Sequence, residues 1–284
     1  MNKKVSVIIL NFKVKKLILK CIESVKKSVY RNIEIIVVDN NSNDGLEEDL
    51  QTREDLLFIQ NKENLGFTGG NNIGIKIALL RGADFIFVLN PDTEIDKYCI
   101  GNLVQAAKDF NFSLAGPKIY FKNSKKIWYA GGIFDKGNVM GSHRGVDEID
   151  KGQFDKPMDT DFVTGAAFCS KSEVFRKNGL FDEKFFLYYE DSEFCFRAKK
   201  KRFKLMYIPQ SVVYHTNAAS SGLGSPLQDY YITRNRMLFA SIHLPFRTRF
   251  ALFREALRNL GNPMRRLAFF DFLVGNFGKG SYKL

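Results

Sequence analysis

The chain has 284 residues, of which 45% are hydrophobic and 26% charged, a globular profile with room for a large core. No apolar run nears the roughly 20 residues that cross a bilayer, which argues against an integral helical membrane protein. The net charge of +12 is uneven: from Arg234 to Leu284 ten Lys and Arg face only Glu255 and Asp271, so +8 falls in the last 51 residues. Such a basic end on a nearly balanced body fits contact with an anionic surface.

Met1 to Lys4 followed by Val5 to Leu10 superficially resembles a secretion signal, but Asn11 and Lys13 cut the apolar part short and no small-residue cleavage site follows. A cytoplasmic first strand is expected there. Leu17, Ile18, Cys21, Ile22 and Val25 then recur at helical spacing across Lys15 to Lys27. Ile33 to Val38 predicts a second strand, ending in Asp39-Asn40-Asn41-Ser42-Asn43-Asp44-Gly45, a run dense in helix-capping and turn-forming side chains. Leu56 to Gln60 predicts a third strand. Next comes Asn64 to Gly74, with glycines at 66, 69, 70 and 74, before a helix through Leu80. Phe85 to Leu89 is apolar throughout, as a strand covered on both faces must be, and Pro91 forces the chain to turn. This alternation predicts a mostly parallel sheet with right-handed crossovers.

Beyond Pro117 the pattern shifts to hairpin-like pieces at Lys118 to Phe121 and Ile127 to Phe134, and Lys136 to Lys156 reads as a mobile surface loop. Phe162 to Ser170 predicts a strand through Thr164-Gly165-Ala166, and Lys171 to Lys177 a short helix. The aromatic run Phe185 to Tyr189 predicts a strand that delivers Glu190 and Asp191 to a helix start. Lys204 to Ile208 and Ser211 to Tyr214 flank Pro209 as two extended pieces, the second ending at His215. Cys21, Cys99, Cys169 and Cys195 are scattered, without metal-ligand spacing, and read as reduced core thiols.

In an open α/β sheet, ligands sit at the carboxyl edge of the strands. Asn90 and Asp92 reach that edge two residues apart on a turn, oxygen donors suited to a hard divalent cation that keeps positions for water and phosphates. An ordinary Asn-Pro-Asp turn is the competing reading. Asp39 shares the edge, as an acceptor for sugar hydroxyls or as a helix cap. Gly66 and Gly69 would let backbone approach a ligand, yet they spell neither a dinucleotide fingerprint nor a phosphate-binding loop. Glu190 and Asp191 read either as first-turn acids meeting a helix dipole or as a general base at a cleft. His215 precedes the polar, Gly-ended stretch Thr216 to Gly222, which favours a loop over a site. His143 and His243 lack such a setting and are expected to be structural.

Together, Val5 to Asn11, Val37 to Ser42, Asn64 to Phe67, Leu89 to Asp92, Thr164 to Ala166, Tyr188 to Asp191, and Tyr230-Tyr231 with Arg234-Asn235 resemble family 2 glycosyltransferases, particularly their rhamnosyltransferase-like branch. The resemblance implies a GT-A fold, a nucleotide-diphosphate sugar donor, a divalent Mn²⁺ or Mg²⁺, and inversion at the anomeric carbon. It implies donor contacts at Asn11, Asp39, Asn41, Asn64, Gly66, Gly69, Asn90 and Asp92, with Asp39 on the nucleoside. Asp92 and His215 stand at metal positions, Asp191 at the base, and Thr164, Gly165 and Glu190 beside the acceptor. Asn90 replaces the first acid of the D-x-D motif, and fewer ligand charges weaken metal affinity.

Residues 1–233 are expected to form the catalytic domain, with a nucleotide half at 1–116 and an acceptor half at 117–233, and 234–284 a basic helical extension. Phe239, Ile242, Phe246, Phe250, Phe253, Leu257 and Leu260 form a helical stripe that Pro245 must break or kink early, largely flanked by Arg247, Arg249, Arg254 and Arg258. The stripe fits either a helix lying on a membrane through residues 239–266 or one packed on the domain. The membrane reading would place the enzyme on the inner face of the cell membrane with a glycan or polyprenyl-linked acceptor. Nucleic acid is the poorer partner, since no binding motif accompanies the charge. First-guess chemistry is rhamnosyl transfer from a deoxythymidine diphosphate donor. Uridine-linked hexoses, nucleotidyl transfer and a non-catalytic membrane scaffold are the alternatives.

Overall fold

The structure, a computed structural model, describes residues 3–216 and 224–283. The stretch expected to loop over the site after Thr216 therefore lies outside the described residues.

Strands β1 (Val5–Asn11), β2 (Ile33–Asp39), β3 (Leu57–Gln60) and β4 (Phe85–Leu89) lie parallel in the order β3-β2-β1-β4. Helix α1 (Lys15–Lys26), the short α2 (Leu46–Leu50) and α3 (Gly66–Leu80) make the crossovers. Strand β5 (Thr93–Ile95) and helix α4 (Cys99–Asp109) lead on to β6 (Leu114–Phe121). Further along come β7 (Ile127–Tyr129), β8 (Gly132–Asp135), β9 (Met140–His143) and β10 (Met158–Asp159). Strand β11 (Ala167–Lys171) inserts antiparallel between β4 and β6, and β12 (Leu205–His215) runs parallel to β6. The sheet is thus parallel within β3-β2-β1-β4 and within β6-β12, blocks joined by the reversed β11, while β5 and β10 pair antiparallel with β12 and β7 with β6.

Side chains alternate across the sheet and feed two cores. Val5, Val7 and Ile9 meet Ile18, Cys21 and Ile22 of α1 and Cys99, Ile100 and Leu103 of α4. Ile8 and Leu10 face the other way, toward Ile75 and Ala78 of α3 and a phenylalanine cluster of Phe168, Phe175, Phe181 and Phe194. That cluster seats α5 (Ser172–Asn178) and α6 (Glu190–Lys200), with ring centroids 4.9 to 6.3 Å apart. Each such side chain contributes about 1.5–3 kcal/mol when withdrawn from water. All four cysteines are free and buried, in agreement with the expectation of core thiols.

Several sequence expectations need correction. The aromatic run 185–189 is no strand: Phe186, Tyr188 and Tyr189 take positive φ of 61°, 67° and 73°. The extended pieces around Pro209 are one strand, β12, whose register shifts between Ile208 and Val212, because proline cannot donate to the ladder. Thr164 and Gly165 precede β11 rather than lying within it. The expected loop at 136–156 contains β9, buries Val139 and ties back through Lys118, whose Nζ donates to Asp150 at 2.8 Å and to Asp155 at 2.5 Å.

The basic end folds as three helices, α7 (Pro226–His243), α8 (Phe246–Arg258) and α9 (Pro263–Leu273). Proline opens α7 and α9 behind the caps Ser225 and Asn262, where a missing N–H costs nothing. Of the two outcomes expected at Pro245, a break or a kink, the structure shows the break: α7 ends before Pro245 and α8 starts after it. The expected division after residue 233 falls inside α7. Phe239 is buried against Phe134, Phe196 and His243, while Phe246 and Phe250 stay exposed.

Candidate active site

The strand register brings the first residues together. Asn11 stands opposite Asp39 at the ends of β1 and β2. Its buried amide donates to Asp39 Oδ1 at 2.6 Å, Ser42 Oγ at 3.0 Å and Asp44 Oδ2 at 3.1 Å. Asp39 Oδ2 accepts from the Ser42 backbone at 2.9 Å, so the carboxylate both caps the local turn and faces the edge. Asn41, half-buried, adopts a φ of 57° just beyond it.

Asn40, which the sequence did not single out, links this turn to the next. Its amide nitrogen donates to Asn64 Oδ1 at 3.2 Å and the Gly66 carbonyl at 2.9 Å, and its oxygen accepts from Asn61 at 2.8 Å. Gly66, at a φ of 71°, lies within the start of α3, and a Cβ there would stand 2.5 Å from the Phe186 carbonyl. Cβ atoms at Gly69, Gly70 and Gly74 would meet Leu65, Leu10 and Ile8 at 2.7, 2.4 and 2.6 Å. These glycines permit a close approach between α3, the residue before it, the first strand and the 186 loop.

Thr68 N donates to the Phe186 carbonyl at 3.2 Å, which joins the first turn of α3 to the segment leading into α6. Positive φ is strained for bulky side chains, at about 1–3 kcal/mol each. Three such residues persist here because α7 holds them. The buried Asn235 amide donates to the carbonyls of Phe185, Leu187 and Tyr188 at 2.7, 2.8 and 2.8 Å. Arg234, also fully buried, reaches the carbonyls of Lys184 and Phe185 at 3.3 and 3.4 Å.

The constrained loop delivers Glu190 and Asp191 to the first turn of α6. Asp191 Oδ2 accepts from Gly165 N at 2.9 Å, and Oδ1 from Ser192 N and Oγ at 2.5 and 3.2 Å. Loss of solvent nevertheless raises the Asp191 pKa above the ordinary aspartate value. Glu190 is buried, its Oε2 has no hydrogen-bond partner among the described residues, and desolvation plus the neighbouring Asp191 charge push its pKa well up. A carboxyl so placed favours holding a proton.

From Gly165 the chain of contacts returns to the Asn90–Asp92 turn, since Asn90 N donates to the Ala166 carbonyl at 3.0 Å. Thr216 N donates to the Asp92 carbonyl at 2.8 Å, and His215 Nε2 lies 3.1 Å from Asp92 Oδ1. The candidates thus form one nearly continuous circuit around the sheet edge: Asn11, Asp39, Asn64, Gly66, the 186 loop, Asp191, Gly165, Asn90, Asp92 and His215. Thr164 sits on it too, its Oγ1 accepting from Ala166 N at 3.4 Å. Two surface grooves of about 450 and 770 Å³, sharing Glu94, Lys122 and Tyr214, contain none of these residues.

Trp128 packs edge-on against both His215 and His143, with centroids 4.5 and 4.3 Å away. Burial holds His143 down to a pKa of about 4, so it faces the site neutral. The sequence analysis missed Trp128 and left His143 structural; a lone tryptophan carries no spacing signal that would mark it. His243 was also read as structural. It bonds Glu193 Oε1 at 3.0 Å, which fastens the end of α7 to α6.

Residues 6–179 match the model of glycosyl transferase family 2, which is more than half of the chain. The chain belongs to this family. Among its relatives, the low-salt glycan biosynthesis hexosyltransferase Agl10 of Haloferax volcanii is 30% identical over 239 residues, 82% of this chain and 74% of that protein. The dTDP-rhamnosyl transferase RfbF of Shigella flexneri is 27% identical over 224 residues, 76% of this chain and 73% of that one. A crystal structure of GalNAc-T7 with UDP, GalNAc and Mn²⁺ superposes with a TM-score of 0.68 at 20% identity. That match covers 84% of this chain and 48% of the other, and it shows the GT-A fold. Membership of family 2 makes the chain a glycosyltransferase.

A divalent cation fits the residues at the end of β12. No group of three or more His, Cys, Asp or Glu that could hold a metal occurs among the described residues. The pair Asp92 and His215, with the Asn90 amide close in sequence, instead offers a small hard-to-intermediate donor set. Such a set suits an ion completed by water and phosphate oxygens rather than an all-protein cage.

Proposed function

We propose that this glycosyltransferase inverts the anomeric centre as it moves a sugar from a nucleoside diphosphate to a hydroxyl of a glycan or lipid-linked glycan in cell-surface polysaccharide synthesis. The observation that carries this reading is the Asp191 carboxylate, one residue into α6, bonded to Gly165 and linked through Ala166 to the Asn90–Asp92 turn. One carboxylate at the junction of donor and acceptor sides suits single displacement, in which no covalent sugar intermediate forms. Asp191 takes the proton of the acceptor hydroxyl, whose oxygen attacks the anomeric carbon on the face opposite the diphosphate. Asp39, Asn11 and Asn41 hold the nucleoside, and Asn64, Gly66 and Gly69 frame the donor side. Thr164, Gly165 and Glu190 contact the acceptor, with a protonated Glu190 able to donate to one of its oxygens.

Asp92 and His215 would hold Mn²⁺ or Mg²⁺, which neutralises charge on the departing diphosphate. The neutral Asn90 implies a weaker, more readily exchanged ion. The likeness to RfbF supports dTDP-rhamnose as the first donor to test, and the likeness to Agl10 supports a hexose donor as the second.

Thermal unfolding with thymidine, uridine and guanosine diphosphates, each with and without Mn²⁺, tests this directly. A nucleotide at about 100 times its Kd adds roughly 2.7 kcal/mol of stability. The expected result is one nucleotide that stabilises chiefly with metal present. If none shifts the transition at millimolar concentration, the donor site is lost and the transferase reading fails for this chain.

A further inference from the structure

The C-terminal helices leave an apolar face that the catalytic site does not use. In α8, Leu252 and Ala256 pack inward, whereas Phe246 is 77% and Phe250 50% exposed, with Leu257 and Ile242 of α7 also in solvent. At about 100° per residue, Phe246, Phe250, Phe253 and Leu257 fall within an arc of about 60°. Phe246, Phe250 and Leu257 therefore point away from the domain, while Phe253, at the inner edge of the arc, packs on Phe269 beside the buried seam on one flank. On the other flank stands a row of exposed arginines, Arg247, Arg254 and Arg258.

The carboxylates that could neutralise this row are engaged elsewhere. Glu255 is paired with Arg236, and Asp271 bonds Tyr230 and Ser281. Phe246 and Phe250 stack on each other with centroids 6.1 Å apart, so the aromatic surface is continuous. A contiguous apolar strip on a soluble face marks a contact surface. An apolar row beside a cationic row, on a helix lying along the surface, is the pattern of an in-plane interfacial helix.

We infer that α8 docks this protein onto an anionic lipid bilayer, the phenylalanines entering the acyl boundary and Arg247, Arg254 and Arg258 contacting headgroup phosphates. Charge complementarity selects this occupant over a second copy of the chain, since an anionic bilayer offers the opposite charge to the arginine row whereas a second copy brings the same net positive C-terminal region. The inference is independent of the donor site: a protein without transferase activity would still bind lipid through α8.

The test is sedimentation of the full chain with vesicles of phosphatidylcholine alone or mixed with phosphatidylglycerol, at low and high salt. The expected result is binding to the mixed vesicles only, weakened by salt. Each arginine near an anionic surface is worth about fivefold in affinity, so R247Q/R254Q/R258Q should weaken binding about 100-fold. F246S/F250S should weaken it comparably while leaving the unfolding transition and nucleotide-induced stabilisation intact, because neither ring belongs to the core. F250W provides a second readout, a blue-shifted emission on the mixed vesicles. Absence of binding to the mixed vesicles overturns the inference. So does binding that survives F246S/F250S, or a concentration-dependent dimer that F246S/F250S abolishes.

Discussion

Asp191 is pulled two ways: three hydrogen-bond donors favour its ionised form, loss of solvent disfavours it, and the second effect prevails. As a base it must be ionised, so turnover should rise with pH through a value above the ordinary aspartate range. D191N should lower kcat by about 10²–10⁴ with nucleotide-induced stabilisation retained, measured by transfer assay and thermal unfolding side by side. Unchanged turnover would remove Asp191 as the base. Glu190 shares the titration, because each charge raises the cost of the other. E190Q should therefore shift the acid limb of the activity profile to lower pH. It should also change stability with a definite sign. Between the ordinary glutamate pKa and the raised one, the folded protein holds a proton that the unfolded chain releases, so stability falls as pH rises through that window. The glutamine variant should be more stable than the parent at neutral pH and equal to it in acid, a crossing visible in thermal midpoints over a pH series. Asp39 and Asp92 were legible as acids following apolar strands, and Asp191, beside Glu190, as an acid after an aromatic run. Asn40 and Trp128 were not, because their roles come from partners 24 and 87 residues away in sequence, Asn64 and His215.

Among the elements, the loop 185–189 shows most clearly how far a local pattern can mislead. Five consecutive aromatic or leucine residues have strand propensity, yet Asn235 takes the carbonyl oxygens that a strand would offer to a neighbour. Tertiary hydrogen bonds override the local preference. N235A would leave three carbonyls without this donor, at a cost of about 1–3 kcal/mol. In a chain of this size that lowers the midpoint by about 2–4 °C per kcal/mol. Because the loop sets the position of α6, the same substitution should lower kcat more than it raises donor KM, whereas loss of stability alone would scale the amount of active enzyme and leave KM unchanged. Helix α3 teaches a related lesson. Its glycines signalled close approach, but the sequence could not say that Leu10, Ile8 and Phe186 of the protein itself come so near. Helix α8, by contrast, was readable as an amphipathic stripe, though its start at Pro245 and the burial of Phe239 depend on how α7 packs.

For the molecule as a whole, the two halves of the sheet differ in how readily sequence reveals them. The order β3-β2-β1-β4 follows from alternating strands and helices with short connections. The second half does not, since β11 reaches back antiparallel to β4 across some 78 residues and separates it from β6. No periodicity encodes that pairing. The circuit of candidate residues spans both halves, with Asp39 on the first and Asp191 and His215 on the second.

This division has a temporal side during synthesis. Every strand of the β3-β2-β1-β4 block, with Asn11 and Asp39 facing each other, has been translated once the ribosome passes residue 92. Domains fold as units from the N-terminus as the chain emerges, and these parallel pairings join segments close in sequence. The pairing of Asn11 with Asp39, the proposed nucleoside contact, can therefore form on the nascent chain before β11 inserts, and before α7 arrives to fix the loop that leads to Asp191, the proposed base. On the proposed roles of these residues, the donor side of the site would mature before the catalytic side.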